Sequence, residues 1–295
     1  MVKRHLIQSS VIVAGILTAS LGLAEPPALK TVWLRFEDKE AGKQVILAEN
    51  SSSSAEAQAE GVNIDPAKPA PVYVDFMPTQ GRFKIIDGET GQEYDNDRAC
   101  KVEQAGTCGA GYIEIRNVVF ASYLSATIEF FYQTPEDIGP LKENVARLLV
   151  CATPSGKNPS LGIYVGTSGQ LVCWVNGKQF GTEPFLEPST LYHIALVIAG
   201  TNNAGGPVDE RYTEGHAYLF VNGQPVGPAE GVDFSNADGG FEGVTAAWLG
   251  TYPGNEKTCT AAGLFDEFRI TYNAGSHNGA AALTPKQFLR MDTKK

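Results

Sequence analysis

The sequence predicts an all-β protein, a sandwich or a barrel, and three observations carry that expectation. About a dozen short runs alternate apolar and polar residues with the period of two that half-buried strands require. Glycine, proline, asparagine and aspartate separate them, and 32 glycines in 295 residues mean many tight turns. Two strings, VCWVNGKQFG (172–181) and YLFVNGQPVG (218–227), set Asn-Gly between apolar runs. That pair is a strong hairpin signal, because a type I′ turn needs positive φ at both central residues.

Taken in chain order, residues 1–24 are expected to lie outside the fold. Lys3 and Arg4 give a positive start, Val11 to Leu23 is mostly apolar, and Gly22-Leu23-Ala24 places small residues where a signal peptidase cuts. The apolar run carries Thr18 and Ser20 and is short for a membrane span. No cysteine stands at the cut to take a lipid anchor, and no second apolar segment follows. The expectation is export to a periplasm or to the outside, without membrane insertion after cleavage, and residues 25–295 as one domain. Expected strands then run over 31–37, 71–77, 81–87, 111–117, 124–133, 145–152, 161–166, 170–177, 190–200, 216–223, 245–250 and 264–272. In the fifth, Leu124, Ala126, Ile128, Phe130 and Tyr132 share one face. The stretches near 48–70 and 88–110 are polar and are expected as long inserted loops. One short helix is expected over 283–291, with Thr284 as N-cap and Pro285 at the first helical position.

Composition excludes several classes. The 33 acidic against 23 basic residues give a net charge of −10, or −12 once Lys3 and Arg4 are removed. Nucleic-acid and anionic-membrane surfaces need clustered Lys and Arg, so neither partner is expected. Export permits disulfides. Among five cysteines, Cys100 and Cys108 flank the short string CKVEQAGTC, where a disulfide would clip a loop. Cys151 and Cys173 lie in apolar runs and are expected as small buried side chains, and the odd count leaves at least one thiol outside any internal pair. No CxxC, Gly-x-Ser-x-Gly or phosphate-loop string is present.

The C-terminal half carries a distinctive order of elements: LYHIALVIAG (191–200), AYLFVNGQPVG (217–227), WLGTYPG (248–254), GLFDEFRITYNAG (263–275) and LTPKQFL (283–289). This order resembles the LamG-like jelly-roll group of the concanavalin A-like lectin/glucanase superfamily. WLRFED near the start and ATIEFFYQ match it more loosely. The resemblance implies an antiparallel two-sheet jelly-roll sandwich with its first and last strands adjacent. The fold hosts lectins, adhesion modules and glycosidases, so it leaves function open.

In LFDEFRI, Asp266 alternates with Phe268 and Ile270, and a carboxylate on a core-facing side needs a cation or hydrogen-bond donors. The resemblance implies a structural calcium near Asp266, with Glu37, Asp38 and the carbonyls around Phe36 to Asp38 as its surroundings. The alternative is an Asp that caps backbone N–H groups. EYDNDR (93–98) lacks the third Glu and the apolar strand of a glucanase acid pair, so no catalytic residue is expected there. His193 is expected to be a hydrogen-bonded sheet histidine. Sugar recognition uses aromatic faces, and Tyr164, Trp174 and Tyr252 are the candidates, with the loops 200–212 and 231–243 as ligand-facing elements. The expected role is a non-catalytic binding or adhesion module for a glycan or a cell-surface protein. The alternatives are a polysaccharide hydrolase or lyase and a structural surface component.

Overall fold

The computed structural model describes residues 29–52, 56–68, 70–76, 83–105, 108–120, 125–137, 146–154, 160–166, 169–183, 186–200, 211–234, 244–251, 258–273 and 281–293. The expected signal segment, Tyr252, and residues 201–210 and 235–243 of the two candidate loops lie outside them.

With strands numbered along the chain, the described residues form two nine-stranded sheets and two small ones. Sheet A contains β1 (Leu29–Leu34), β4 (Val72–Asp75), β7 (Arg98–Val102), β11 (Ala126–Gln133), β16 (Leu191–Ala199), β17 (His216–Val221), β18 (Gln224–Val226), β19 (Val232–Asp233) and β22 (Gly263–Asn273). Sheet B contains β2 (Leu47–Ala48), β3 (Gln58–Asn63), β10 (Gly111–Arg116), β12 (Ala146–Pro154), β13 (Leu161–Val165), β14 (Leu171–Val175), β15 (Lys178–Gly181), β20 (Val244–Leu249) and β21 (Thr258–Thr260). A third sheet joins β5 (Phe83–Ile86), β6 (Glu93–Asn96) and β23 (Arg290–Thr293), and β8 (Gln104–Ala105) pairs with β9 (Cys108–Gly109). Pairing is antiparallel throughout except between β12 and β21.

The inward faces of sheets A and B share one apolar core, in which Val32, Leu34, Ile128, Phe130, Ile194 and Leu196 of sheet A are fully buried alongside Ile113, Ile115, Val150, Ile163 and Leu171 of sheet B. All twelve expected strands are present to within a few residues, and β1 lies beside β22 as the resemblance implied. Both Asn-Gly strings turn hairpins, with positive φ at Asn176 and Gly177 and at Asn222 and Gly223.

Three expectations are corrected. Residues 283–291 form turns that lead into β23 and no helix: the Thr284 hydroxyl meets Gln287 Oε1 at 3.0 Å, closing a turn, and Arg290 then pairs with Ile86. The stretches 48–70 and 88–110 are not simple loops. The first supplies β3 next to β10 in sheet B, and the second supplies β6, β7, β8 and β9. The disulfide joins Cys108 to Cys259, not Cys100 to Cys108. Cys100 stands on β7 opposite Tyr73 and Phe265 with its side chain in the core, whereas Cys108 on β9 lies against β21, which carries Cys259. Among the described residues no helix is long and apolar enough to cross a membrane.

Candidate functional site

The acids singled out by sequence gather where sheet A changes partners. β1 covers Phe268–Asn273 of β22 and β7 covers Gly263–Phe265, so Asp266 and Glu267 fall at the handover. A bulge opposite Phe130 puts Glu267 at φ 49°, and Phe36, two residues past the end of β1, is at φ 60°. The extra residue breaks the alternation assumed for Asp266: Phe265 as well as Phe268 and Ile270 reach the core. Both acids are buried. Glu267 accepts Trp33 Nε1–H at 2.6 Å and Arg35 Nε–H at 3.1 Å; Asp266 accepts Asn96 Nδ2–H at 2.7 Å and the Glu267 N–H at 2.9 Å. Burial pushes the Glu267 carboxyl up to about 8 against the pull of Arg35 and Trp33, and burial followed by the neighbouring Glu267 holds Asp266 well above the usual carboxylate range. Glu37 accepts the N–H groups of Asp97 and Arg98, and Asp38 accepts the Tyr73 hydroxyl at 2.9 Å. The expected metal residues are therefore close in space, but their oxygens face N–H and O–H donors. Asn96, not among the expected residues, donates to Asp266 while its Oδ1 is buried and without a partner among the described residues. No three His, Cys, Asp or Glu among the described residues are arranged to hold a metal ion.

A second polar centre lies on the outer face of sheet A. Glu129 Oε1 accepts Arg269 Nε–H at 2.8 Å and a second bond from Nη2, while Oε2 accepts the Leu289 N–H at 2.8 Å and faces His193 Nε2 at 2.9 Å. Arg269 also reaches Asp87 at 2.8 Å and the Gln287 carbonyl at 3.0 Å. Burial alone would raise the Glu129 carboxyl, but Arg269, His193 and the Leu289 N–H outweigh it and hold it below the ordinary range. The centre fastens the segment before β23 onto sheet A, and His193 is one of its hydrogen-bonded members.

The aromatic candidates stand on the outer face of sheet B. Registers across seven adjacent strands align Gln179, Trp174, Gly162, Cys151, Trp248, Glu114 and Glu60 in one row. Directly opposed residues project to the same side, so this row is one surface feature. An added Cβ on Gly162 would come within 2.4 Å of the Trp174 ring, which means the indole lies flat over that glycine. Tyr164 packs against it at 5.1 Å between centroids and an angle of 50°, and its hydroxyl is hydrogen-bonded to the Gln179 side chain. Since β14 lies between β13 and β15, Trp174 is framed on both sides by this pair. Tyr112 and Trp248 join the cluster as buried members, and Arg116 pairs with Glu114 at 2.7 Å and Glu60 at 3.3 Å. The structure thus brings Tyr164 and Trp174 together. Trp248, Tyr112, Gln179 and Glu114 were not singled out by sequence; only the strand registers bring them into one patch.

No family model matches the chain, and no curated protein does. The fold is similar to that of Trypanosoma rangeli sialidase, at 15% identity and a TM-score of 0.47 over 87% of this chain and 31% of the sialidase. It is also similar to the binding domain of botulinum neurotoxin serotype G (11% identity, TM-score 0.44, covering 83% of this chain and 47% of that one). A third similar structure is a heptameric SAP-like pentraxin from Limulus polyphemus, at 12% identity and a TM-score of 0.38 over 64% of this chain and 75% of the pentraxin. The chain thus spans about a third of the length of the sialidase.

Proposed function

We propose that the chain is an exported, non-catalytic carbohydrate-binding module of LamG-like type, and that the outer face of sheet B receives the sugar. One observation carries this: a half-buried indole laid flat over Gly162, flanked by a tyrosine and an amide that bond to each other. The apolar C–H face of a sugar ring stacks on such a surface, while amide and carboxylate groups beside it bind hydroxyls. Retention of the full chain on a panel of immobilised polysaccharides tests the reading. It predicts retention without cleavage; absence of retention on every glycan would count against it.

A hydrolase reading has one supporting observation: Glu60 and Glu114 stand directly opposite each other on the same face. Paired carboxylates are what glycoside hydrolysis requires, but both are tied to Arg116. New reducing ends in the same incubations would favour this second reading.

Structural calcium at Asp266 remains part of the proposal. Asp266 and Asn96 Oδ1 are the groups that would hold it, and Glu37 and Asp38 would have to give up their present donors. A ligand that binds only the folded state raises stability. The melting temperature should therefore be higher in calcium than in chelator, and equal values would remove calcium from the reading.

A further inference from the structure

The row across sheet B also constrains which sugars fit. Neighbouring strands lie about 4.8 Å apart, so the four intervals from Trp174 on β14 to Glu114 on β10 span roughly 19 Å. A single sugar cannot engage both ends; a chain lying across the strands can. The middle of the row is closed: the Trp174 indole covers Gly162, Cys151 is fully buried and Trp248 beside it is only 7% exposed. Its two sides are more open, with Gln179 exposed on one and, on the other, the Glu60 side chain 45% exposed and Leu47 opposite it exposed.

Among the described residues, the charges of this row and its rim, Glu114, Glu60 and Arg116, sum to −1. The row contains no cation; Glu114 and Glu60 are its charged members, with Leu47 of β2 beyond them, and Arg116 offsets one of the two. The chain as a whole carries −10. A polyanion laid on the row would bring its charges within about 8 Å of the carboxylates, where physiological salt screens repulsion only partly. Hydroxyl groups, by contrast, donate to carboxylates in charge-assisted hydrogen bonds.

We infer that the ligand is an uncharged, linear polysaccharide lying across the strands from Trp174 toward Glu114 and Glu60. This rests on the sugar-binding reading above. Trp174 stacks one ring, the chain crosses the closed middle of the row, and the two carboxylates take hydroxyls on its far side.

The test is affinity electrophoresis of the full chain in gels containing uncharged polymers (glucan, xylan, mannan) or acidic ones (alginate, polygalacturonate, a sulfated galactan). Wild type, Trp174→Ala, Gly162→Ala, Gln179→Ala and Glu60→Gln/Glu114→Gln are compared. Wild type should be retarded by at least one uncharged polymer and by no acidic one. Losing the stacking contact should weaken that binding roughly tenfold. Gly162→Ala keeps the indole but displaces it, so it should weaken binding as Trp174→Ala does. Gln179→Ala, at an exposed position, loses a smaller part and serves if either of the other two fails to fold. Retardation of wild type by an acidic polymer, unchanged in Glu60→Gln/Glu114→Gln, would overturn the inferred class and leave sugar binding standing. Retardation by no polymer at all would overturn both.

Discussion

Joining Cys108 to Cys259 closes a loop 151 residues apart in sequence, whereas joining Cys100 to Cys108 would have closed one of about eight. Chain-entropy arguments make the first worth about 5 kcal/mol and the second about 2.5 kcal/mol. The perturbation is the double change Cys108→Ser/Cys259→Ser, which leaves no odd thiol from the broken pair. It should lower the urea midpoint and depress the melting temperature by roughly 10 °C or more. Reductant should produce nearly the same loss in wild type and none in the double variant. Cys100→Ala should keep the full effect of reductant, because the Cys100 thiol is buried, with its proton affinity pushed well up by desolvation, and takes no part in the bond. Peptide mapping without reduction should recover residues 108 and 259 in one linked pair. A linked pair containing 100 and 108, or loss of the reductant effect in Cys100→Ala, would refute the pairing.

Glu129→Gln should destabilise the protein by about 3 kcal/mol near neutral pH, since it takes a buried partner from Arg269. Because the folded state holds the Glu129 carboxyl below its ordinary value of 4.5, its contribution is present above that pH and disappears as pH falls through the lowered value. The gap in stability between wild type and Glu129→Gln should therefore narrow from pH 6 to pH 3; a constant or widening gap would contradict this account. Gly61→Ala should cost more than 2 kcal/mol, roughly the upper part of the usual range for single changes, because the added Cβ would lie 1.8 Å from the Val45 carbonyl oxygen. Normal denaturant midpoints in that variant would mean β3 is not clamped between β10 and the segment around Val45.

The fold was legible because its strands bury one face and expose another, or carry β-branched and aromatic residues between turn signals. That signal marked twelve strands and both Asn-Gly hairpins. It failed where strands are short, polar and paired at an edge. β6 reads EYDN and β3 reads QAEGVN, and neither has an apolar face that local sequence could reveal. It failed again at the end of the chain, where Thr284-Pro285 looks like a helix start but the chain is drawn into β23 by its partner β5. Asp266 was recognisable as a costly acid, yet the bulge that shifts its phase depends on Phe130 in another strand. The Cys108–Cys259 bond lies in the same class, since it follows from β9 meeting β21. In the candidate site, Tyr164 and Trp174 were visible as aromatics in adjacent strands. Gly162 was not, because its role appears only once Trp174 lies over it.

The two outer faces of the sandwich are finished differently, and that difference bears on where a ligand can sit. On sheet A the outer residues are packed under a third layer: Trp33 and Phe131 lie against Ile85 and Leu289, and Val197 and Phe220 against Leu283 and Phe288. The Glu129–Arg269 centre draws its remaining partners from that same layer, so opening this face would expose both an apolar surface and a buried ion pair. On sheet B the corresponding cluster, Tyr112, Leu148, Cys151 and Trp248 with Val62, Tyr164, Trp174 and Ala246, consists entirely of sheet B residues among those described. Tyr164 and Trp174 pack against each other at a tilt and retain partial exposure. Among the described residues no element lies over this aromatic patch, so a ring can reach Trp174 without displacing any of them. A ligand on sheet A would first have to displace the segment held by Glu129, which is why the sugar-binding reading is placed on sheet B.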